Sequence, residues 1–428
     1  MSFAQPHPSA TVRCVAFDEL QPWLRAMRTT FLENPSFELT DAMRDYWKQS
    51  WDPERAWGAF DDSSGRCVAT LRTFPTTLTV PGGPDELTRL VPTDALTQVT
   101  VAATHRRQGL LTRMLTRSLD DARQRGEAVS VLRAAEWPIY GRFGYAPTAR
   151  ATNYRVVLDA PPRILPPRQP IQIRQFEPEQ YLPLAVEVFD AARRQRPGEI
   201  DRTAALWNRR VGLAGLRPSR TREPVCLVGF DADDRPVAAA TWSAEDGDWF
   251  EQKADVTVTE FLSTSEDAYR AMWAQLLSID LIGSIRWIEQ AEDEPLELLL
   301  TDGRAARHEL TRDGMWLRIL DVEQALSARR YATADRLVLE VIDDDAEGWA
   351  AGRYTLDASE IHADCTQTPD APADLRIHQR ALAAVYLGGF SVRTQQRIGL
   401  VDEQVPGAVR RFDAMLATDR KPVNVTPF

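Results

Sequence analysis

The sequence predicts a mixed fold, α/β in its first two domains and α+β in its third, with the first two domains built as successive copies of one plan. Three observations predict it. One order of elements runs through residues 1–160 and again through 161–312: strand, helix, hairpins, then strand, helix and strand. Between the runs, the segment PPRILPPRQP at 161–170 holds five prolines in ten positions, which removes backbone donors and stiffens it into an extended linker. From about Gly314 the order changes, which defines a third domain over 313–428.

In the first domain Thr11–Ala16 alternates like a strand, and Asp18–Phe31 has the apolar spacing of an amphipathic helix. Two hairpins follow. Ala56–Phe60 and Cys67–Phe74 flank the turn 61–65, and Leu78–Val80 and Thr88–Val91 flank the turn 81–84. A strand through Thr97, Val99 and Val101, a helix from Leu110 and a strand Val129–Leu132 complete the copy. The second copy reads as strand Ile171–Phe176, helices near 179–195 and 203–216, hairpin strands Val225–Phe230 and Val237–Trp242, strand Asp255–Phe261, helix Ser265–Leu281 and strand Ser284–Ile288. In the third domain Trp316–Val322 and Arg336–Ile342 read as strands, Asp374–Leu387 and Arg393–Leu400 as helices, and Lys421–Phe428 as an extended end.

Bulk composition narrows the function. Apolar residues make up 43% and charged residues 26%, as in folded globular chains. A net charge of −11 repels phosphate backbones and attracts small cations, so nucleic acid is excluded as the expected partner. Cys14, Cys67, Cys226 and Cys365 lie far apart without metal-ligand spacing, so no metal is expected and the thiols read as reduced. Without an apolar run long enough for a membrane, or a basic start, the expected location is cytoplasmic.

The chemistry concentrates in 97-TQVTVAATHRRQGLLTRMLTRSLDDARQRGEAVSVLRAAEWPIYGRFGYAP-147. Behind the strand comes a basic turn, His105-Arg106-Arg107-Gln108-Gly109, and then a helix with Leu110, Leu111, Met114, Leu115, Leu119 and Ala122 on one face. The first turn of such a helix presents unpaired N–H groups and the positive end of its dipole, an anion site suited to a pyrophosphate. Gly109 lets the backbone approach closely, and Arg106 and Arg107 add charge. Alone, such a turn also describes an ordinary solvated basic loop.

The pairing of VTVAATHRRQGLL with EWPIYGRFGY resembles the GNAT acetyltransferases, and specifically the bacterial Eis (enhanced intracellular survival) family of N-acetyltransferases. GMWLRILDV at 314–322 is similar to the start of that family's sterol-carrier-protein-like domain. The resemblance implies two tandem GNAT folds, the second degenerate, and acetyl-CoA as co-substrate. It implies that Val99, Thr100 and Val101 offer backbone groups to the pantetheine and thioester. Arg107, Gln108, Gly109, Leu110, Leu111 and Thr112 would cradle the pyrophosphate with Arg106 beside them, and Ala135 and Glu136 would line the thioester end. Tyr140 matches the tyrosine that gives a proton to the departing thiolate, and the carboxylate of the last residue, Phe428, matches the family's base. Acceptors implied are aminoglycoside or lysine amines, and the assembly implied is a homohexamer of two trimers.

Two departures stand out: Leu111 where Gly or Ala is common, and Trp137-Pro138 where smaller residues occur. Trp47, Trp51, Glu33, Glu38, Asp41 and Asp45 suit a pocket for a cationic amine, or equally a helix face. His105 is placed beside the phosphates, and Ile139, Phe143 and Tyr145 in the core. In the second copy Ser263 and Glu266 have capping-box spacing, and two acids at the helix start oppose a pyrophosphate, which makes that copy a scaffold. A different class stays open, a non-catalytic carrier whose third domain holds an apolar ligand on a GNAT scaffold.

Overall fold

The computed structural model describes residues 9–34, 36–84, 86–158, 162–214, 223–244, 253–344 and 348–428. Residues 1–8 of the polar lead, Pro161 of the linker and residues 215–216 of an expected helix lie outside them.

The first copy comprises β1 (Ala10–Cys14), α1 (Leu20–Thr30), α2 (Asp41–Ser50), β2 (Ala56–Asp61), β3 (Cys67–Gly83), β4 (Glu86–Val101), α3 (Leu110–Gln124), β5 (Val129–Leu132) and β6 (Ala146–Val157). The second comprises β7 (Gln172–Phe176), α4 (Pro178–Arg193), α5 (Ala204–Val211), β8 (Val225–Phe230), β9 (Pro236–Ala244), β10 (Ala254–Ser263), α6 (Glu266–Leu277), β11 (Ile282–Gln290), α7 (Leu296–Leu299) and β12 (Ala306–Ile319). The third holds α8 (Val322–Ala328), β13 (Asp335–Ile342), β14 (Gly352–Ala358), β15 (Ala363–Gln367), β16 (Leu375–His378), α9 (Gln379–Val385), α10 (Val392–Arg397), β17 (Val401–Glu403) and α11 (Ala408–Leu416).

Both copies share one twelve-stranded sheet, ordered β1-β2-β3-β4-β5-β12-β6-β11-β10-β9-β8-β7. The final strands are exchanged. β5 is parallel to β4 and takes β12 of the second copy as its antiparallel neighbour, while β11 is parallel to β10 and takes β6 of the first. The third domain carries its own sheet, β15-β14-β13-β16-β17.

Two sequence expectations change here. The division between residues 312 and 313 falls inside β12, which runs unbroken from Ala306 to Ile319. Gly314 marks a close backbone approach instead: a Cβ there would lie 3.0 Å from the carbonyl carbon of Arg150 on β6. The two hairpins also merge, because the β3–β4 ladder pairs straight through Pro75 and Pro92 to Gly83 and Glu86. The far end of that ladder, with Leu78, Val80 and Val91, enters a core shared with Ile200 and with Leu337, Leu382 and Phe412 of the third domain.

The C-terminal tail is tied down. Lys421 N donates to Asp293 (2.8 Å), Val423 N to the Pro197 carbonyl (3.1 Å) and Val425 N to Glu199 (2.9 Å). Among the described residues, no helix is long and apolar enough to cross a membrane.

Candidate active site

The site begins where two parallel strands part. β4 pairs with β5 only over Thr93–Leu96, whereas β4 itself continues to Val101. A bulge helps to set the split. Gln98 has φ +55° and the β3–β4 register shifts between Thr70 and Arg72, so two residues of β4 oppose one of β3. Thr70 donates to the Gln98 carbonyl or shares its proton with Thr100 (2.8 and 2.6 Å), and Arg72 Nε donates to the Gln98 side chain at 2.8 Å. Val99, Thr100 and Val101 therefore lie on the length of β4 that has parted from β5.

Beyond the strand, residues 102–109 form the basic turn. Arg107 and Gly109 both have positive φ, +62° and +73°, and Gly109 caps α3 without a side chain. The first bond of the helix runs from Arg113 N to Gly109 O, so the amides of Leu110, Leu111 and Thr112 precede the helical ladder. Space is open above them, since a Cβ on Gly109 would meet nothing within 4 Å. Gln108 Nε2 is buried without a partner, an orphaned donor at the same turn. Free donors, exposed Arg106 and Arg107, and room for a ligand together fit a pyrophosphate. Leu110 is buried and Leu111 packs on the same core, so their side chains fix the turn while their amides face out.

His105 departs from expectation. It is buried rather than beside the open turn, with Nε2 3.1 Å from Asp61 and Nδ1 2.8 Å from the Thr104 hydroxyl. Asp61 also accepts from the amides and hydroxyls of Ser63 and Ser64, and these bonds hold its carboxyl well below the usual range. The pair locks the β2–β3 turn to the turn after β4.

At the end of β5, Ala135 and Glu136 are exposed, and Tyr140 opens a short 3-10 turn, Tyr140–Phe143. The ring of Tyr140 meets that of Tyr145 edge-on at 6.1 Å. Burial, with the Glu136 charge second, pushes the Tyr140 phenol up to about 12, so it keeps its proton at neutral pH. The exchanged strand supports this turn: Arg318 of β12 donates to the Phe143 carbonyl at 2.7 Å, and Trp316 stacks edge-on with the exposed Trp137 at 4.8 Å.

Beneath Tyr140 lies a buried chain that the motifs do not reveal. Tyr145 Oη is 2.7 Å from Ser130 Oγ, Ser130 donates to Asp94 (3.0 Å), and Arg55 bridges Asp94 and Glu127 (3.2 and 2.6 Å). One guanidinium serves these two buried carboxylates and the more exposed Asp52 at 3.6 Å, and burial followed by the Glu127 charge pushes Asp94 up to about 7. Asp94 and Ser130 are register partners on β4 and β5, and Arg55 and Tyr145 reach them from the turns before β2 and β6.

Phe428 packs edge-on against Phe74 at 5.9 Å, and the buried Arg72 guanidinium lies 5.9 Å from the same Phe74 ring. Phe428 is thus brought to β3, and Tyr140 to Tyr145. The residues that suited either an amine pocket or a helix face divide between core and surface. Trp47 and Trp51 pack with Trp23 (6.5 and 5.2 Å) between α1, α2 and the sheet, while Glu33, Glu38, Asp41 and Asp45 are exposed on the surface.

The second copy keeps the bulge and the parting of its parallel strands, since β10 pairs with β11 only as far as Val258 and runs on to Ser263, but it lacks the open turn. Its turn is residues 264–265, Ser265 caps α6 by accepting from Ala268 N, and Asp267 accepts from the linker amides of Arg168 and Gln169. Ser263, expected in a capping box, ends β10 instead, because the strand runs two residues beyond the expected Phe261.

Comparison with known proteins agrees with this division. Residues 11–148 and 198–319 each match an acetyltransferase (GNAT) domain family, and residues 322–424 match the sterol carrier protein domain. The molecule is a GNAT-type acetyltransferase. An uncharacterized N-acetyltransferase of Streptomyces griseus is 40% identical, with 97% of this chain and 98% of that protein covered. The N-acetyltransferase Eis of Mycobacterium tuberculosis is 34% identical, with 80% and 81% covered. The crystal structure of Eis1 from Mycobacterium abscessus superposes with a TM-score of 0.81 at 29% identity, covering 98% of this chain and all of that one. The chain belongs to the Eis-like family of GNAT N-acetyltransferases.

Proposed function

We propose that the protein transfers the acetyl group of acetyl-CoA to a primary amine of an aminoglycoside-type or lysine-type acceptor at the first GNAT copy. The observation that carries this reading is the combination of the parted β4 edge with the unladdered amides and open space at Leu110–Thr112. Val99, Thr100 and Val101 would hold the pantetheine and thioester, and residues 106–112 the pyrophosphate. Ala135 and Glu136 would flank the thioester.

The amine nitrogen attacks the thioester carbon, an N–C bond forms and the C–S bond breaks. The amine must shed one proton and the leaving thiolate must gain one. Tyr140 is proposed as the donor. Its phenol stays protonated, and position supplies the advantage that its acidity does not. The α-carboxylate of Phe428 is proposed as the acceptor of the amine's proton, directly or through a water. The docked tail and the Phe74 contact support this by holding the last residue within the fold, three residues from β4's bulge measured across the ladder from Ala95 to Gln98.

We further infer a cytoplasmic homohexamer, with domain divisions at the 161–170 linker and just past Ile319. Thiol release from acetyl-CoA across a panel of polyamines, aminoglycosides and lysyl peptides tests the function. Release that depends on an amine is expected. Acetyl-CoA binding without transfer to any amine would contradict it.

A further inference from the structure

Among the described residues of this acidic chain lies a basic recess. A cavity of about 1150 Å³ lies between α1, the loop after it, the start of β3 and the turn after β4. Arg25 of α1, Arg66 just ahead of β3 and Arg106 of the turn all line it. Among the described residues, none of the three guanidinium groups has a hydrogen-bond or ion-pair partner. Asp61 is the sole acid among the described lining residues, and its carboxylate is already engaged by Ser63, Ser64 and His105. Three unpaired cations in one concavity, within a chain of net charge −11, focus a local field that draws anions.

The recess adjoins the proposed point of transfer. Ala102 N donates to the Val68 carbonyl at 2.8 Å, continuing the β3–β4 ladder from Ala69 and Val101, and both Val68 and Ala102 line the cavity. At about 3.3 Å per extended residue, the wall at Ala102 lies roughly 7 Å along the chain from Thr100.

We propose that this recess receives anionic groups of the acceptor, so that the preferred acceptor is a lysine amine flanked by acidic residues rather than a polycationic aminoglycoside. The proposal rests on the amine-transferase reading above and selects between its two acceptor classes. Arg25 and Arg66 bind the flanking carboxylates and leave the reacting amine free, because cations do not compete for it.

The test uses two N-acetylated, C-amidated tripeptides, Glu-Glu-Lys and Gln-Gln-Lys, with the full-length protein. The acidic peptide is expected to have a kcat/KM about 10-fold higher or more, as charge-assisted hydrogen bonds of this kind allow. Arg25→Gln and Arg66→Gln should each remove most of that preference, while turnover of Gln-Gln-Lys and the KM for acetyl-CoA stay unchanged. Equal kcat/KM for the two peptides, or variants that leave the preference intact, would overturn the proposal. So would variants that raise the KM for acetyl-CoA but not for 3′-dephospho-acetyl-CoA, since the recess would then belong to the coenzyme. If neither peptide is acetylated, the transferase reading fails separately, and calorimetric titration with the ε-acetylated Glu-Glu-Lys peptide decides the recess. Binding that both variants weaken supports it, and no binding to the wild-type protein overturns it.

Discussion

The two GNAT copies share strand order, a bulge on the fourth strand and a parallel neighbour beyond it, yet they treat the same place in opposite ways. In the first, residues 102–109 leave the start of α3 open beneath Gly109. In the second, residues 264–265 bring α6 directly behind β10, the Ser265 hydroxyl accepts from Ala268 N, and Glu266 and Asp267 stand where phosphates would. The space beyond the second bulge is reduced to a cavity of about 100 Å³ bordered by Phe261, Leu262 and Ser263: Trp287 meets Phe261 at 5.0 Å and Trp273 at 5.1 Å, and Glu260 is buried between Arg202 and Arg210. After the parallel strand, the first copy offers Tyr140 and the second the apolar helix Leu296–Leu299. A common scaffold therefore does not fix ligand binding, and a handful of residues at one helix start decide it.

The sharpest way to break this contrast is at Tyr140. Tyr140→Phe should lower kcat by about 10²–10⁴-fold with little change in the acetyl-CoA KM, as expected for a general acid. Steady-state kinetics check it, and wild-type turnover would reduce Tyr140 to packing. A Gly-Ser extension after Phe428 should remove most activity by displacing the carboxylate, whereas Phe428→Leu keeps an apolar anchor against Phe74 and much of the rate. Both should bind acetyl-CoA normally, and full turnover by the extended protein would return the base to a side chain or water.

A smaller effect belongs to the turn. Arg107→Ala should weaken acetyl-CoA binding by about 1.5–3 kcal/mol, the worth of a charge-assisted hydrogen bond, without altering thermal stability. Replacing Glu266 by Gln in the second copy should leave that affinity unchanged. If the two substitutions behave alike, the copies do not differ in the way described.

The smallest expected effect is a pH dependence beneath the site. Asp94, buried and sharing Arg55 with Glu127, is pushed up to about 7. Between its unfolded pKa, about 3.9, and 7, the native state holds a proton that the unfolded state lacks, so stability falls as pH rises through that window. Asp94→Asn should flatten this slope in urea unfolding measured at pH 5 and pH 7.5. An unchanged slope would assign the titration elsewhere.

Much of this was legible in the sequence. The turn from His105 to Gly109, the following apolar helix face and the IYGRFGY segment locate the site because glycine, arginine and helical periodicity act locally. The direction of His105, the Arg55–Asp94–Ser130–Tyr145 chain and the core packing of Trp47 and Trp51 were not legible, because each depends on residues far apart in sequence. The exchange of β6 and β12 was hidden for the same reason. Gly314 carries no mark in sequence that separates a domain edge from a close contact with Arg150. α2 was legible only as one of two readings, a helix face or a pocket wall, because its residues Asp41–Ser50 bury only Tyr46 and Trp47, too few to show a helical period.

The most direct test of the account counts acetyl-CoA sites by isothermal titration calorimetry on the full-length protein and its Gly109→Asp variant. A Cβ at Gly109 meets nothing within 4 Å, so the substitution displaces no neighbour and sets a carboxylate against the phosphates. The φ of +73° strains any side chain there, Asp less than most, and a thermal melt of the variant checks that it is folded. The account predicts one site per chain in the wild-type protein and loss of that site in the variant. Two sites per chain, or one site that survives Gly109→Asp unchanged, would contradict it.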